Sequence, residues 1–477
     1  MGGGGRGRAA PGTHAPVLRA PARRGNVMRR FSNVCALCAV LLLPALSAVT
    51  APSATGSPRV MQGPRVMAVT MDTIPVWVRL SGEFPVMLEY DTDPAFSGPR
   101  RTEAVTPSKQ GGDLCAVLRM TGLSAASACY YRILVNGKPD PYLKQTWQAR
   151  TAPAGPAKFS LCFGSCPRVQ LDPVQPVWYG IAEVQPDLFF WIGDNIYGDT
   201  LDPEILAEEY RRQLYVASLL PFQASVPQLA VWDDHDFGLN DHDRTNPIRE
   251  QALEVFKRYW PNPAHGLPDT PGVFFKYAYG GVDFFFLDDR YHRDPNAAPD
   301  TPEKTMLGAG QLAWLREGLA GSTAPFKVLV SGSGWTSAKG AGGDSWASFI
   351  HERDALFDFI RDRNITGVLL LSGDTHVGEF NAIPRSAQGG YDLYDLVSSP
   401  LAQTANTNWR ERHPELRVRT PYEGVNAGLV EFDLTAAPPT VRMNLIDREG
   451  RTVWRPVTLT ADDLRNGVAT AAEKAEK

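Results

Sequence analysis

Carboxylates, histidines, a thiol and a phenol recur in this 477-residue chain directly after runs of apolar residues. In the clearest case, residues 188–192 are an uninterrupted apolar run, the pattern of a strand buried on both faces of a sheet. Asp194 follows this run, and Tyr197 lies three residues further on. Because ligands bind at the carboxyl ends of the strands in open α/β sheets, Asp194 lies where a catalytic carboxylate is expected.

Five other apolar runs lead into polar clusters of the same kind. The clusters are Cys166 after residues 159–163, Asp233-Asp234-His235-Asp236 after 228–232, Asp288-Asp289-Arg290 after 282–287, Ser331-Gly332-Ser333-Gly334 after 326–330, and Asp374 with His376 after 367–372. If these strands share a sheet, the clusters meet along one of its edges. Such a mixture of acids, imidazoles, thiol and phenol indicates a metal site.

The residue types favour two different cations. A carboxylate, a thiolate, a phenolate and an imidazole together suit trivalent iron, and they are available from Asp194, Cys166, Tyr197 and His376. Asp234 and Asp374 offer hard oxygens for a second cation such as calcium. Two cations bridged by a carboxylate can hold a hydroxide nucleophile and neutralise phosphate oxygens, which predicts phosphoryl-transfer chemistry.

Several of these residues also have simpler interpretations. Cys166 can be a buried thiol or a disulfide partner, and Tyr197 can pack beneath the sheet edge. Arg290 can clamp a phosphate, or it can form a structural ion pair with the adjacent aspartates. His235 lies among three aspartates, which favours a functional histidine over a core histidine. A serine hydrolase is a weaker alternative, because Ser331 and Trp335 stand two residues before and after Ser333, where a nucleophile elbow has glycines.

The composition is that of a globular protein of more than one domain, with 43% hydrophobic and 21% charged residues. The first 50 residues carry seven arginines and no acid, so the formal charge of −4 for the whole chain leaves about −11 on the remainder. That acidic remainder argues against a nucleic-acid-binding surface. In an oxidising compartment, Cys115 and Cys129 can form a disulfide.

Residues 1–51 are interpreted as an N-terminal extension that contains a secretory signal peptide. From Met28 onward, two arginines, an apolar run over 34–43 and small residues up to Ala51 follow one another in the order of a signal peptide. The apolar run is shorter than the roughly 20 residues that span a membrane. We therefore expect export to the periplasm, the cell surface or the medium, without a stable membrane span.

The remaining chain divides by its periodicity. Residues 60–150 show short strand patterns between Gly and Pro, which predicts a small all-β sandwich of the fibronectin or immunoglobulin type. Over residues 158–460, strand patterns alternate with amphipathic helices, which predicts a layered α/β domain with two sheets flanked by helices. The helices are expected at residues 203–217, 248–259, 309–319 and 346–363. Residues 461–477 are polar and are expected to form a flexible tail.

Five motifs follow one another over about 210 residues: Phe163-Gly164-Ser165-Cys166, Gly193-Asp194-Asn195-Ile196-Tyr197, Trp232-Asp233-Asp234-His235-Asp236, Leu287-Asp288-Asp289-Arg290 and Ser372-Gly373-Asp374-Thr375-His376. Together they resemble the PhoD-like branch of the metallophosphoesterases, the alkaline phosphatase D family. The resemblance covers roughly residues 158–435, and the preceding β-region resembles the N-terminal sandwich of that family.

The resemblance implies a metal-dependent phosphomonoesterase or phosphodiesterase in which a metal-bridging hydroxide attacks the phosphate ester. It places the bridging carboxylate on Asp194. The other implied metal ligands are Cys166, Tyr197 and His376 for Fe(3+), and Asp234 and Asp374 for Ca(2+) or another second divalent cation. The resemblance also implies that His235 faces the phosphate. With His235, the candidate catalytic residues are Arg290, as the phosphate clamp, and Asn240, as an additional ligand or a substrate contact. Asp374 stands where the wider superfamily has a histidine, which favours a harder second ion.

A second class of function is a non-catalytic surface or binding protein that retains the fold and uses its β-sandwich for adhesion. Buried carboxylates are costly without a cation, and this cost favours the enzyme. We expect a monomer that acts on a phosphate ester. The leaving group, and the choice between monoester and diester, stay open.

Overall fold

The computed structural model describes residues 56–476, so the expected signal peptide lies outside the described part of the chain. The N-terminal region is built from short strands, whose bounds are β1 (Val60–Val66), β2 (Ile74–Leu80), β3 (Val86–Asp91), β4 (Arg100–Arg101), β5 (Cys115–Met120), β6 (Ala128–Val135), β7 (Lys138–Pro139) and β8 (Trp147–Arg150). One sheet has the order β1-β2-β5, and the other has the order β4-β3-β6-β7, with β8 also paired to β6. Apolar side chains of both sheets are buried, as the Val- and Tyr-rich strand patterns require.

The cysteines of this β-region do not form the disulfide that the sequence allowed. Cys115 lies on β5 and Cys129 on β6, and these strands belong to different sheets. Both thiols are free. Cys129 instead lies in the apolar core, where its Sγ is 3.8 Å from the Met120 sulfur.

The remaining strands build two larger sheets. Their bounds are β9 (Lys158–Gly164), β10 (Leu188–Ile192), β11 (Gln228–Val231), β12 (Phe275–Tyr279), β13 (Val282–Phe286), β14 (Lys327–Val330), β15 (Val368–Ser372), β16 (Gly378–Ile383), β17 (Leu393–Val397), β18 (Leu416–Tyr422), β19 (Asn426–Asp433), β20 (Thr440–Asp447) and β21 (Val457–Thr460). The six-stranded sheet has the order β11-β10-β9-β19-β20-β21, and the seven-stranded sheet has the order β12-β13-β14-β15-β17-β16-β18. Phe190 of β10 packs edge-on against Phe284 and Phe286 of β13, so aromatic rings fill the layer between the two sheets.

Helices connect these strands, with bounds α1 (Val177–Val184), α2 (Pro203–Gln213), α3 (Leu219–Gln223), α4 (Asp234–Phe237), α5 (Arg249–Tyr259), α6 (Gly308–Gly321), α7 (Ile350–Asp362) and α8 (Ala471–Lys474). Single 3-10 turns cover Ser337–Lys339, Trp346–Ser348, Ser386–Gln388, Asn408–Glu411 and Ala461–Asp463. The start of α2 follows from its sequence, because Asp202 caps the Glu204 N–H and Pro203 occupies the first turn. The expected α/β architecture of two sheets flanked by helices is confirmed.

The strands that carry the polar clusters belong to two sheets rather than one. Strands β9, β10 and β11 run parallel in the six-stranded sheet, and β13, β14 and β15 run parallel in the seven-stranded sheet. The carboxyl ends of the two sets meet at Gly193. A Cβ atom there would lie 2.7 Å from the Asp233 Cβ and 3.2 Å from the Gly332 Cα, so this close approach requires a glycine.

Within residues 56–476, the β-region and the α/β region belong to one compact unit. The Trp77 indole donates a hydrogen bond of 2.8 Å to the Arg258 carbonyl at the end of α5. The Tyr131 hydroxyl donates one of 2.6 Å to the Ala224 carbonyl after α3. The two regions therefore share a hydrogen-bonded interface.

The C-terminal segment is packed, in contrast to the flexible tail that its composition predicts. Leu464 and Ala471 are buried, and the Asp392 carboxylate accepts hydrogen bonds from the backbone N–H groups of Thr470 and Ala471. These contacts join the segment to the seven-stranded sheet. Within residues 56–476, we find no helix that is long and apolar enough to cross a membrane.

Candidate metal centre

The expected metal ligands lie in turns that follow strands of both large sheets. Cys166 follows β9, and Asp194 follows β10; Asp374 and His376 follow β15. These four residues have φ angles of 60°, 49°, 69° and 52°, in the left-handed region that residues other than glycine seldom adopt. Backbone strain of this kind is concentrated at functional sites, where the surrounding structure holds it in place.

Asp194 is the residue that most of the possible ligand groups share. Side-chain ligand atoms lie within 4.8 Å of one another in four groups of three residues, and Asp194 belongs to three of them. The groups are Cys166–Asp194–His376, Asp194–Asp234–His235, Asp194–Asp233–Asp374 and Asp234–Asp241–Asp344. A carboxylate shared in this way has the position expected of a bridging ligand.

Cys166, Tyr197 and His376 form what we call the thiol side of the site. The Cys166 Sγ lies 3.4 Å from the Asp194 Oδ2, and the Tyr197 hydroxyl lies 2.9 Å from the His376 Nε2. Burial raises the pKa of the Cys166 thiol to about 11, although hydrogen bonds to nearby hydroxyls oppose the shift. Burial also raises the pKa of the Tyr197 phenol well above its ordinary value. Both groups are therefore neutral at physiological pH unless a cation stabilises their anions.

Asp233, Asp234 and Asp374 form the carboxylate side. On this side, positively charged side chains form ion pairs with two of the acids: Arg290 is paired with Asp233, and Lys339 with Asp374. Burial favours protonation of Asp234, but the charges of Arg290 and His235 prevail and lower its pKa. The ionised form of Asp234 is therefore favoured without a metal, whereas burial raises the pKa of Asp233 well above its ordinary value despite the charge of Arg290.

Two buried oxygens support the presence of a cation between the two sides. Asp194 Oδ1 and Asp233 Oδ2 have no hydrogen-bond donor within the part of the chain that the structure describes. Buried carboxylate oxygens are costly unless a donor or a cation satisfies them. Burial accordingly raises the pKa of Asp194 well above its ordinary value. The donor set of thiol, phenol, imidazole and carboxylates fits a metal centre.

His235 is held by a second carboxylate. Its Nδ1 lies 2.6 Å from the Asp199 Oδ1, so the Nε2 is the ring nitrogen left for the site. Burial opposes the charged imidazolium, but the Asp194 charge and the Asp199 hydrogen bond outweigh it and raise the His235 pKa to about 10. The raised pKa favours the imidazolium form of His235 in the metal-free protein.

Arg290 does not have the position of a phosphate clamp. Its side chain is fully buried; Nε pairs with Asp233, and its two terminal nitrogens reach the Asp344 carboxylate at 3.0 and 2.6 Å. All of its sides are therefore engaged by protein acids, which contradicts the clamp interpretation. The structural ion pair is the better interpretation, although its partners are not the adjacent aspartates. Asp288 instead accepts the Trp232 indole N–H, and Asp289 accepts the Ser333 backbone N–H.

Asn240 lies at the edge of the constellation. Its side chain is exposed, and its Nδ2 donates to the Asp241 Oδ1 at 2.8 Å. Asp241 is a member of the fourth ligand group, and its backbone N–H donates to the Asp234 Oδ2 at 2.7 Å. Asn240 is therefore next to the site through Asp241, and its catalytic role stays a prediction.

Sequence reasoning missed four charged residues that complete the site, namely Asp199, Arg293, Lys339 and Asp344. Asp199 lies in the same turn as Asp194, five residues later, and its position there was the available signal. Lys339 and Asp344 flank the glycine-rich residues 340–343 in the loop after β14. This loop follows a strand, so it lies where functional residues are expected. Its local sequence, however, does not distinguish Lys339 and Asp344 from ordinary loop residues.

Known proteins are similar to this chain in sequence and in fold. The family model described as PhoD-like phosphatase matches residues 161–436, which is more than half of the chain. The chain belongs to this family. Alkaline phosphatase D of Bacillus subtilis (strain 168) is 26% identical over 371 residues. That match covers 64% of this chain and 62% of the relative, so it spans less than two thirds of the relative's length.

Solved structures show the same fold. The structure of PhoD has a TM-score of 0.69 at 18% identity and covers 85% of this chain and 94% of its own. The purple acid phosphatase PPD1 of yellow lupin (Lupinus luteus) has a TM-score of 0.55 at 12% identity, with coverages of 84% and 74%. The resemblance to the PhoD-like family and the metallophosphoesterase type of fold are confirmed.

Proposed function

We propose that this protein hydrolyses phosphate esters at a centre of two metal cations that share the Asp194 carboxylate. The observation that carries the proposal is that Asp194 belongs to three ligand groups, one with the thiol side and two with the carboxylate side. Membership of the PhoD-like phosphatase family supports the same reaction class. The intact set of donors favours this enzyme over a non-catalytic binding protein that merely retains the fold.

The type of donor atom assigns each candidate ligand to one of the two cations. Cys166, Tyr197 and His376 would hold an iron(III) ion, for which thiolate, phenolate and imidazole are suitable donors. Asp234 and Asp374 would hold calcium or a similar hard divalent cation. Bound there, the cations would activate water and neutralise the oxygens of the phosphate.

The protein groups around the centre would position the substrate and move its proton. His235 is oriented by Asp199, so its Nε2 can donate a proton or a hydrogen bond to the oxygen that leaves or to the phosphate itself. Arg290 would act as a positioning residue, because it joins Asp233 to Asp344 and fixes the carboxylate side. Asn240 is a candidate for an outer substrate contact.

A paired assay tests this function. Metal-depleted full-length protein should hydrolyse neither p-nitrophenyl phosphate nor bis(p-nitrophenyl) phosphate. Reconstitution with iron and calcium should restore hydrolysis of at least one of them, and the ratio of the two rates gives the preference between monoester and diester. If no combination of metals restores hydrolysis of either compound in folded protein, the proposed function is wrong.

We also propose that the protein is exported. The proposal is supported by the order of arginines, apolar run and small residues between Met28 and Ala51. Mass spectrometry of the secreted or periplasmic fraction should find a mature N-terminus close to residue 52. Recovery of only uncleaved chain from the cytoplasm would contradict export.

A further inference from the structure

Lys339 is a cation of the site that the preceding roles leave unassigned. It ends the 3-10 turn Ser337–Lys339, and its ammonium group pairs with the Asp374 carboxylate. The same group donates a hydrogen bond of 2.9 Å to the Asp344 backbone carbonyl. Asp374 belongs to the ligand group of Asp194 and Asp233, so the Lys339 charge lies at the edge of the proposed cation site.

The neighbouring arginines are not available to a ligand, but Lys339 is. The side chains of Arg290 and Arg293 are fully buried, and both are ion-paired with Asp344. The side chains of Lys339 and Asp374 are 15% and 18% exposed, so this pair is partly accessible to solvent. Lys339 can therefore reach an incoming molecule, whereas the two arginines cannot.

The loop around Lys339 permits its ammonium group to change partners. Gly340 follows it at a φ of 72°, and Gly342 has a φ of 82°, with no atom within 4 Å of the place where a Cβ would stand on either. A glycine backbone in open space can move at little steric cost. The flexible four-carbon stem of lysine adds further reach. A new partner for Asp374 would thus release the ammonium group without disturbing the buried core.

We propose that Lys339 is a phosphate-binding residue, whose ammonium group exchanges Asp374 for a non-bridging oxygen of the substrate phosphate when a divalent cation takes the Asp374 carboxylate. The inference rests on the proposed function. An ammonium group forms a charge-assisted hydrogen bond with phosphate, and at this position it adds a positive charge beside the centre. In the absence of the cation, the same charge stabilises Asp374 and competes with metal binding.

Because Lys339 would compete with calcium for Asp374 but bind phosphate itself, its replacement should change the affinities for calcium and for inorganic phosphate in opposite directions. Both affinities are to be measured by isothermal titration calorimetry with the full chain. In metal-depleted protein, Lys339→Met should bind calcium about tenfold more tightly, because Asp374 loses its competing partner. At saturating calcium, the same variant should bind inorganic phosphate about 10- to 100-fold more weakly. Lys339→Arg, which keeps the charge, should restore most of the phosphate affinity. Lys138→Met, on the exposed strand β7, is the matched control and should change neither value.

A chemical measurement on the native protein makes the test independent of substitutions. Acetylation of Lys339, mapped by mass spectrometry and normalised to Lys138, should be slow in metal-depleted protein. It should become faster with calcium and slow again when inorganic phosphate is added. Lys339→Gln keeps a donor for the Asp344 carbonyl and separates the effect of charge from that of loop structure.

Failure of the inference and failure of the proposed function give different results. Metal-loaded wild-type protein that binds phosphate, together with Lys339→Met and Lys339→Gln variants that bind it equally well, would overturn the role of Lys339 alone. Weaker calcium binding in Lys339→Met would do the same, since the residue would then only support the loop. Wild-type protein that binds no phosphate and hydrolyses no ester would overturn both.

Discussion

The thiol side and the carboxylate side of the site balance charge in different ways. On the carboxylate side, Arg290 and Lys339 are ion-paired with Asp233 and Asp374, so the protein itself supplies positive charge. On the thiol side, Cys166 is hydrogen-bonded to hydroxyl groups, and burial raises its pKa to about 11. The thiol side therefore becomes anionic only with a bound cation. This difference predicts a tightly held metal on the thiol side and an exchangeable one on the carboxylate side.

Asp194→Asn should have the largest effect, because Asp194 serves both sides. An amide cannot neutralise two cations, so hydrolysis should fall by more than about 100-fold, the upper end of what loss of an outer-shell partner costs. The rates are to be measured with both nitrophenyl esters, and metal content by elemental analysis. Asp269→Asn, an exposed aspartate outside the site, is the control. If Asp194→Asn stays within about tenfold of the wild type, Asp194 is not a shared ligand.

Arg290→Met tests the internal charge balance of the carboxylate side. Removing the fully buried guanidinium leaves Asp233 without its ion-pair partner and Asp344 with Arg293 alone, which should cost about 3–5 kcal/mol of unfolding free energy. Urea unfolding of metal-depleted protein measures this loss. Arg119→Met, at an exposed position of β5, should have little effect. A loss below about 1 kcal/mol for Arg290→Met would place the pair among weak surface ion pairs.

Tyr197→Phe tests the metal of the thiol side. Iron-loaded wild-type protein should show a visible phenolate-to-iron absorption band, and the variant should lose the band together with roughly 10- to 100-fold of its activity. Tyr215→Phe, whose side chain is 68% exposed, should keep both. A colourless wild-type protein that contains only zinc would show that the iron assignment is wrong.

Asp199→Asn should act through His235 and leave both metals in place. The substitution weakens the hydrogen bond that orients the imidazole, so kcat should fall about tenfold while metal content is unchanged. His235→Asn then shows whether the two residues act together, because the double variant should be no slower than His235→Asn alone. Additive losses would mean that Asp199 has another role.

Reduction should have the smallest effect. Cys115 and Cys129 are free, so a reductant should not change the Tm of the metal-depleted protein. A disulfide that closes a loop of this length would contribute about 3 kcal/mol, and its reduction would be visible as a lower Tm. Such a decrease would contradict the free thiols of the β-region.

Sequence alone determined the positions at which chemistry is possible. Buried strands are read from uninterrupted apolar runs, and the turn after each strand is a local feature of the chain. Asp194 and His376 were therefore found without knowledge of the fold, and the structure brings both into ligand groups. The helix that begins at Pro203 was found in the same way, because its cap and its first proline are neighbours in sequence.

Tertiary structure decided which charges meet. Arg290 lies beside Asp288 and Asp289 in sequence but pairs with Asp233 and Asp344, more than 50 residues away on either side. Local pattern cannot reveal such partners, because they are set by how two sheets bring their strand ends together at Gly193. The packed C-terminal segment has the same explanation. Its polar composition resembles a tail, but buried Leu464 and Ala471 and the hydrogen bonds of the Asp392 carboxylate hold it in place.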